Sequence, residues 1–354
     1  MKDKNALEIH DLEISFETSR GTAQIIRRVS LEAERGKTLA IVGESGSGKS
    51  VTVKSIMALL PDQARIEGGE IWLQGRPGEE EPINLTSLSK EQVMKTVNGR
   101  RISMVFQDPL SVLNPTMKVG KQIMEGMLLH GDLNRKEAKE RAIHLLDDVG
   151  IRDSRLCMDQ YPHQLSGGMR QRAAIAIALS GGADILILDE PTTALDVTVQ
   201  KKILDLLQRL QKEHSLTAIL ITHDLGVVAK MADTVSVMYA GQIVESGTSR
   251  DIFFHPAHPY TWGLLSSIPD SGTKHLLSIP GNPPDLSRPI KGDAFAPRNA
   301  YALKEDFASE PPLIPLSGTH SVKSRLYQDG KRPDLPKELK EKIERIQKEA
   351  SHGR

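Results

Sequence analysis

The run GESGSGKS, at residues 43–50, has the residue types of a phosphate-binding loop. It fits the pattern G-x-x-x-x-G-K-[ST], in which glycines let the backbone wrap a phosphate chain and turn its N–H groups inward. A glycine-rich turn is the alternative, but an apolar strand pattern before the loop and a helical pattern after it favour the phosphate site. The candidate binding residues are Gly43, Glu44, Ser45, Gly46, Ser47, Gly48, Lys49, Ser50 and Val51.

Two of these side chains have distinct tasks in such a loop. The ammonium group of Lys49 would reach the β- and γ-phosphates, and the hydroxyl of Ser50 would bind Mg²⁺. The helix that follows would add the positive end of its dipole to the same site.

Two carboxylates, Asp189 and Glu190, end the apolar run ILILDE. In an open α/β sheet, such a strand end lies beside the phosphate loop. Asp189 would hold Mg²⁺, mostly through water, while Glu190 would project to the other face, orient an attacking water and accept its proton. Polar residues often end a strand without any catalytic role, and the upstream loop is what favours the catalytic interpretation.

Three further residues are candidates with equally ordinary alternatives. Gln107 ends the run RISMVFQ and could reach Mg²⁺ or the attacking water, although a lone glutamine is usually a loop residue. His223 ends the next apolar strand and could bond a γ-phosphate, or it could be a structural histidine. Phe16 could stack on an adenine ring or fill the core.

A second glycine run, LSGGMRQR at residues 165–172, leads into a helical pattern. A serine followed by two glycines at a helix start leaves backbone N–H groups free to face a negative group. The chain therefore has two candidate phosphate sites far apart in sequence.

The pattern around these residues predicts the elements that must position them. Short apolar strands alternate with helical segments, which indicates a mostly parallel sheet covered by helices. Beyond about residue 251 prolines cluster and the periodicity fades, so we expect a segment that wraps the main domain. The last residues predict a charged helix with Leu339, Ile343 and Ile346 on one side.

Composition narrows the possible functions. The 46 basic and 46 acidic side chains cancel, which argues against bulk attraction to nucleic acid or anionic lipid. The single cysteine, Cys157, excludes an intrachain disulfide. We expect neither a signal peptide nor a transmembrane helix, because no apolar stretch approaches about 20 residues.

Over residues 6–250 the chain resembles the ATP-binding cassette (ABC) ATPases. The resemblance rests on six features that follow one another in a fixed order: the phosphate loop, Gln107, LSGGM, ILILDE, the run ALD and His223. The resemblance implies an α/β P-loop NTPase fold with a RecA-like core sheet, an antiparallel β subdomain and a helical subdomain at about residues 109–180. It implies ATP and Mg²⁺ as ligands, with Ser50, Gln107 and Asp189 at the metal. The loop corresponds to Walker A and the strand ending at Asp189 to Walker B. By the same resemblance, Glu190 corresponds to the catalytic glutamate, Gln107 to the Q-loop and His223 to the switch histidine. Ala194 to Asp196 correspond to the D-loop, and Phe16 corresponds to the aromatic residue that stacks on adenine.

The resemblance also explains the second glycine run. LSGGM is similar to the family signature, in which Ser166, Gly167 and Gly168 would meet the γ-phosphate of ATP held by another subunit. Each chain would then own two half-sites, neither complete alone. ATP would join two cassettes and hydrolysis would release them.

The runs HPAHPYTWGLL and IPGNPPDL resemble the C-terminal extension of the oligopeptide/dipeptide/nickel importer ATPases, in the form that Gram-positive bacteria carry. This predicts an extension at residues 251–330 and a charged helix at 331–354. Many relatives hold an iron–sulfur cluster through four cysteines here, but this chain reads GDAFAPRN. The replacing residues are Asp293, Asn299, Asp306 and Ser324, so no cluster is expected.

The implied function is that of an ATPase subunit of a peptide importer, peripheral on the cytoplasmic face of the cell membrane. The implied partners are a second ABC ATPase subunit, either a homologous sibling or a second copy, two transmembrane permease subunits and an extracytoplasmic peptide-binding protein, but no nucleic acid. Dipeptide and nickel importers of the same family remain open, as does a soluble ABC ATPase acting on nucleic acid or ribosomes. A P-loop kinase would leave LSGGM and ALD without a role, and a non-hydrolysing regulatory cassette would not need Glu190 and His223.

Overall fold

The structure is a computed structural model that describes residues 4–19, 21–76, 78, 81–108, 112–130, 133–193, 195–268 and 279–352, with the side chains of 349–352 left aside. It has two sheets with helices around them, as the sequence predicts. The strands are β1 (Asn5–Thr18), β2 (Gly21–Glu34), β3 (Thr38–Val42), β4 (Ala64–Leu73), β5 (Ile83–Asn84), β6 (Ile102–Val105), β7 (Ile185–Asp189), β8 (Thr217–Thr222), β9 (Thr234–Tyr239), β10 (Gln242–Thr248), β11 (Leu313–Pro315) and β12 (Ser321–Lys323).

The helices cover and connect these strands. They are α1 (Lys49–Ile56), α2 (Lys90–Thr96), α3 (Val119–His130), α4 (Arg135–Asp148), α5 (Ser154–Cys157), α6 (Gly167–Ser180), α7 (Val197–Glu213), α8 (Leu225–Met231), α9 (Ser249–Phe254), α10 (Pro259–Ser266) and α11 (Lys337–His352). Within the parts of the chain that the structure describes, no helix combines the length and apolar character needed to cross a membrane.

The eight-stranded sheet has the order β11-β12-β10-β9-β3-β8-β7-β6. Its five strands from β9 to β6 are parallel, while β10, β12 and β11 extend it in antiparallel fashion. The smaller sheet is antiparallel throughout, in the order β2-β1-β4-β5. The predicted hairpin of β9 and β10 is confirmed.

The central strands are apolar on both faces because both faces are covered. Ala40 and Val42 of β3 join one core with the helices, whereas Leu39 and Ile41 of the same strand join a second core with the small sheet and α1. Successive side chains of a strand point to opposite faces. A continuous apolar run therefore serves two cores at once.

The C-terminal segment packs on the first of these cores. Tyr260, Trp262 and Phe295 are buried in it, and so are Leu339 and Ile343 of α11. Its two short strands complete the edge of the large sheet through pairing of β12 with β10.

On the apolar side of α11, Leu339 and Ile343 are buried and Ile346 is 40% exposed. One detail of the sequence prediction is wrong. Strand β6 ends at Val105, so Gln107 lies beyond it.

Candidate functional site

The predicted catalytic residues gather at one edge of the large sheet, where its parallel strands end. The phosphate loop follows Val42 of β3, Glu190 follows β7, His223 follows β8 and Gln107 follows β6. Parallel strands end on the same side, and ligands of open α/β sheets bind there. The parallel registry of β3, β8 and β7 places these ends side by side.

Two glycines of the loop occupy conformations that a side chain would disturb. Gly43 has φ 156°, and a Cβ there would lie 2.1 Å from the carbonyl oxygen of Met238. Gly48 has φ 109°, and its Cβ would lie 2.7 Å from Cδ1 of Ile26. Only glycine fits both the positive φ and the close packing. The loop therefore passes close against neighbouring strands before α1 begins at Lys49.

Lys49 points back along the loop. Its Nζ donates to the carbonyl oxygens of Gly43 at 2.7 Å and Glu44 at 2.8 Å. Burial lowers the pKa of Lys49, while the carboxylates of Glu190 and Asp189 oppose that shift. The ammonium group thus lies at the centre of the loop, between its backbone and two acidic side chains.

Ser50 and Asp189 bring a hydroxyl and a carboxylate oxygen together. The Ser50 Oγ donates to Oδ1 of Asp189 at 3.2 Å. Burial raises the pKa of Asp189, and the hydrogen bond from Ser50 opposes it. Mg²⁺ prefers oxygen ligands and few carboxylates, so the donor set here fits that ion.

Glu190 is held by three side chains. Its Oε2 accepts from Nε2 of Gln107 at 3.2 Å and from Oγ1 of Thr193 at 2.9 Å, and its Oε1 lies 3.2 Å from Nδ1 of His223. Its φ of 47° is unusual for a residue with a side chain, and such strain is often found at functional sites. The structure thus brings together Gln107, Glu190 and His223, as the sequence predicts.

Thr193 was missed by sequence reasoning. It lies three residues after Glu190, in the run EPTT, where a hydroxyl can bond back to the carboxylate. The turn after a buried strand was the available signal.

The second glycine run begins α6, and Ser166 is its N-cap. The Ser166 side chain accepts from the N–H of Met169 at 3.4 Å, and a Cβ on Gly167 would meet no atom within 4 Å. A Cβ on Gly168 would meet only Cγ1 of Val199, at 3.6 Å. Among the described residues, no hydrogen bond joins Ser166 to the phosphate loop of the same chain.

Asp196 also caps a helix. Its Oδ1 accepts from the N–H groups of Thr198 at 3.1 Å and Val199 at 3.0 Å, at the start of α7. Ala194, the other end of the predicted D-loop, lies outside the described residues. A role for Asp196 in binding nucleotide stays a prediction.

Phe16 and Val51 are both half-buried and pack against the core beneath the small sheet. Phe16 lies on β1 opposite Ala23 and Ala64. Each residue therefore has a structural role, and the predicted contacts with nucleotide stay predictions.

The four positions at which the family resemblance places cluster cysteines carry side chains that are hydrogen-bonded within the extension. Asp293 and Asn299 accept from backbone N–H groups two residues onward, at 2.9 Å each, and Ser324 accepts from Leu326 at 3.3 Å. Asp306 accepts from Arg325 at 2.6 Å. Iron–sulfur clusters need thiolates, so this donor set does not fit one.

Residues of the extension also contact the phosphate loop, which the sequence did not predict. Tyr260 accepts a hydrogen bond from the N–H of Glu44 at 2.8 Å, and Arg298 donates to the Glu44 carboxylate at 2.7 and 3.1 Å.

Two family models match the chain. The one described as ABC transporter covers residues 26–193, and the one described as oligopeptide/dipeptide transporter, C-terminal region, covers residues 244–305. The oligopeptide transport ATP-binding protein OppD of Bacillus subtilis is 52% identical over 345 residues, which are 96% of this chain and 94% of that protein. The dipeptide transport ATP-binding protein DppD of Lactococcus lactis is 51% identical over 340 residues, 95% of this chain and 94% of that protein.

Solved structures agree on the cassette. The ATP-binding cassette MJ0796, in a dimeric post-hydrolysis state bound to ADP and Pi, matches with a TM-score of 0.59 and 25% identity over 69% of this chain and 99% of that one. The cbiO1 protein of Clostridium perfringens matches with a TM-score of 0.59 and 30% identity over 71% of this chain and 91% of that one. The chain therefore belongs to the ABC transporter ATP-binding proteins, in the branch that carries the oligopeptide/dipeptide transporter C-terminal region.

Proposed function

We propose that this chain is the ATP-hydrolysing subunit of an ABC importer that takes up oligopeptides across the cell membrane. The observation that carries the proposal is the Glu190 carboxylate, held by Gln107, Thr193 and His223 beside a phosphate loop. The relatives named as oligopeptide and dipeptide transport proteins supply the substrate class. Dipeptide uptake is the second candidate, since a dipeptide transport protein is almost equally similar.

The loop would bind the phosphates of ATP through its backbone N–H groups and Lys49. For this, Lys49 exchanges its bonds to the carbonyls of Gly43 and Glu44 for phosphate oxygens. Ser50 and Asp189 would hold Mg²⁺, with Gln107 near the same position. When bound, Mg²⁺ neutralises the charge that develops on the phosphoryl oxygens.

Glu190 would position the attacking water and accept its proton. Its oxygens are anchored by Gln107 and Thr193, so the carboxylate is oriented before a substrate arrives. His223, whose side chain is 56% exposed, is free to turn toward a γ-phosphate while remaining within reach of Glu190. The three residues would then act as one unit on the water and the terminal phosphate.

A complete site would need a second cassette. Ser166, Gly167 and Gly168 present open backbone at the start of α6, which suits a phosphate from another subunit. We propose a homologous sibling chain or a second copy as that subunit. The dimeric form of MJ0796 supports the arrangement by analogy.

The remaining partners follow from the importer function. Two permease subunits would dock near the segment between Gln107 and α3, and would hold the chain at the cytoplasmic face of the membrane. An extracytoplasmic protein would deliver the peptide. Within the chain, we propose a cassette at residues 6–250, with its helical subdomain at about 109–180, followed by the extension at 251–330 and the C-terminal helical segment at 331–354. The extension would work without an iron–sulfur cluster.

The Glu190→Gln variant tests the catalytic assignment. Removing the proton acceptor should lower steady-state phosphate release by about 10²- to 10⁴-fold, because that is the usual contribution of a positioned general base. Mg-ATP binding should persist, since the amide keeps the shape of the side chain. Phosphate release and equilibrium nucleotide binding are measured on the same preparations.

Glu91→Gln, an exposed glutamate in α2, is the matched control and should behave as the wild type. Undiminished hydrolysis by Glu190→Gln would refute the assignment.

Peptide uptake by cells tests the proposed substrate class. Cells that lack the chain should lose uptake of a labelled pentapeptide but keep uptake of free amino acids. Restored uptake with Glu190→Gln would contradict the coupling of hydrolysis to import.

A further inference from the structure

Three separate motifs of the C-terminal extension meet at one residue of the phosphate loop. Tyr260 comes from HPAHPYTWGLL, Pro280 from IPGNPPDL and Arg298 from GDAFAPRN. Tyr260 and Arg298 contact Glu44 directly, and Pro280 binds the guanidinium of Arg298. The proposed ATPase chemistry leaves these three motifs without a task.

Arg298 forms a bidentate hydrogen bond with the carboxylate of Glu44. Its Nη1 donates to Oε2 at 2.7 Å and its Nη2 donates to Oε1 at 3.1 Å. Such a two-pronged bond fixes the direction of the carboxylate as well as its distance. Only 6% of the Arg298 side chain is exposed, compared with 27% for Glu44.

Two further hydrogen bonds fix the guanidinium of Arg298. Its Nε donates to the carbonyl of Pro280 at 2.8 Å, and its Nη1 also donates to the hydroxyl of Tyr239 at 3.2 Å. The Tyr239 ring lies under it, with Cζ 5.7 Å from the ring centroid. Tyr239 is the last residue of β9, the strand that neighbours β3 and its loop. Arg298 is therefore a rigid support.

The backbone of Glu44 is held as well. Its N–H donates to the hydroxyl of the fully buried Tyr260 at 2.8 Å, and its carbonyl accepts from Lys49 at 2.8 Å. The carbonyl of Glu44 also accepts from the N–H of Ser47 at 3.2 Å, so the loop holds this residue from one side and the extension from the other. A single residue thus connects the extension to the lysine of the phosphate loop.

We propose that Arg298 is a positioning residue for nucleotide binding, which acts through Glu44 to hold the phosphate loop in its binding conformation. This inference rests on the proposed function of ATP binding and hydrolysis. Among the residues that the structure describes, Glu44 is the member of the phosphate loop that Arg298 hydrogen-bonds. The extension is then part of the nucleotide site.

The physical reason is pre-organisation. A loop rich in glycine has many accessible conformations, and ordering it on binding costs affinity. Tyr260 and Arg298, which we call the clamp, fix Glu44, the second residue of the loop, through its backbone and its side chain. The N–H groups that follow are therefore already ordered when a phosphate arrives. Without the clamp, part of the binding free energy would be spent on ordering the loop.

The test is a double-mutant cycle on the full-length chain with Mg-ADP as the probe. In Arg298→Gln, the Kd for Mg-ADP measured by calorimetry should rise roughly tenfold, a loss typical of removing a residue that orients a binding group. Where hydrolysis is measured, KM for ATP should rise by a similar factor while kcat changes less, because the clamp acts on binding. Arg298→Lys should recover only part of the affinity, since an ammonium group cannot form the two-pronged bond.

The cycle separates positioning from general stability. If Arg298 acts through Glu44, then the double variant Glu44→Gln/Arg298→Gln should bind no more weakly than the weaker single variant. Tyr260→Phe removes one hydroxyl and keeps the buried ring, so it should also raise the Kd. This variant tests the same role if Arg298→Gln folds poorly. Arg325→Gln is the matched control, because its ion pair with Asp306 lies in the same extension without contact to Glu44. It should lower the melting temperature and leave the Kd unchanged.

Different failures point to different errors. If the wild-type chain does not bind Mg-ADP, then the proposed function itself is overturned. If the wild type binds but Arg298→Gln and Tyr260→Phe bind equally well, then only the positioning role is overturned. Strictly additive losses in Glu44→Gln and Arg298→Gln would also overturn it, because Arg298 would then act by another route.

Discussion

Adjacent carboxylates at the end of β7 take different roles because their surroundings differ. Asp189 is buried and bonded to Ser50, which suits a metal ligand. Glu190, one residue later, leaves the strand with a positive φ and contacts Thr193 of its own segment and Gln107 and His223 of two others. Backbone geometry thus gives two residues of similar chemistry different surroundings, which suits the separate roles proposed for them at the metal and at the water.

Thr193→Ala should slow hydrolysis without weakening nucleotide binding. The hydroxyl of Thr193 is one of the donors that orient the Glu190 carboxylate, and its loss frees that group to rotate. We expect kcat to fall by about 5- to 30-fold, the effect of one lost hydrogen bond of about 1 to 2 kcal/mol. Steady-state kinetics give kcat, and calorimetry with Mg-ADP gives binding. Thr193→Ser keeps the hydroxyl and should retain most of the rate, whereas a serine variant as slow as alanine would contradict this role.

Asp293→Asn should stabilise the chain at neutral pH. Burial raises the pKa of Asp293 from 3.8 to about 6, and the nearby Asp306 charge adds to the shift. The folded chain then holds the proton to higher pH than the unfolded chain, so wild-type stability falls as pH rises from about 4 to about 6. The asparagine variant lacks this loss, and its oxygen can still accept the N–H of Phe295.

The difference in unfolding free energy between Asp293→Asn and the wild type is the quantity to measure. From urea unfolding at several pH values, it should shift in favour of the variant between about pH 4 and 6, by roughly 3 kcal/mol in total for a pKa raised from 3.8 to about 6. A difference that is constant with pH would show that Asp293 does not carry this proton.

At the residue level, the sequence predicted the groups that lie in short fixed patterns. Lys49, Asp189 and Glu190 could be named because each follows an apolar strand in a recognisable run. Arg298 could not be named, because its partner Glu44 lies 254 residues earlier and only the folded chain brings the two together. Long-range pairs of this kind leave no periodic signal.

Helix α6 combines a structural and a proposed functional role at its N-cap. Ser166 caps the helix through a long bond of 3.4 Å to Met169, while a Cβ on the following Gly167 would meet no atom within 4 Å. Because the cap bond is weak, Ser166→Ala should cost only about 0.5 to 1 kcal/mol of stability. If Ser166 meets a phosphate across a dimer, then the same change should lower ATP hydrolysis far more than stability.

Ser166→Asp separates the two roles. Aspartate is as good an N-cap as serine, so the melting temperature should be unchanged. Its negative charge would repel the γ-phosphate, so hydrolysis should be lost. Thermal unfolding and phosphate release on the same samples check both parts, and normal hydrolysis by Ser166→Asp would place the phosphate elsewhere.

Element types were predictable where one pattern dominates a segment. Continuous apolar runs predicted β7 and β8, and alternation followed by a turn predicted the hairpin of β9 and β10. The joining of β12 to β10 was not predictable, because it depends on only two registered pairs of residues. Periodicity likewise placed Ile346 on the same side of α11 as Leu339 and Ile343, but it does not reveal where the underlying surface ends, and Ile346 is 40% exposed.

The extension is attached to the cassette by buried polar contacts as well as by apolar packing. Glu245 of β10 is fully buried and accepts from the N–H groups of Ala257 and His258, and His320 lies 2.8 Å from it. Lys342 of α11 donates to the carbonyl of Leu265 at the end of α10. An unpaired buried polar group is costly, so each contact favours one seating of the extension.

At the scale of the whole molecule, the two glycine-rich sites belong to one reaction only if two chains meet. The loop at residues 43–50 and the start of α6 share no hydrogen bond within the described parts of this chain, although both suit phosphate. The specific rate of hydrolysis should therefore depend on the concentration of a second cassette, since association is second order. Dilution of the purified chain should lower the rate per chain, and addition of more chain or of the sibling cassette should restore it. Ser166→Asp should abolish this dependence, while Glu91→Gln should keep it.

The rate per chain is also measured at concentrations where light scattering shows a monomer. If the rate stays constant down to those concentrations, then one chain completes the site by itself and the shared-site arrangement is wrong.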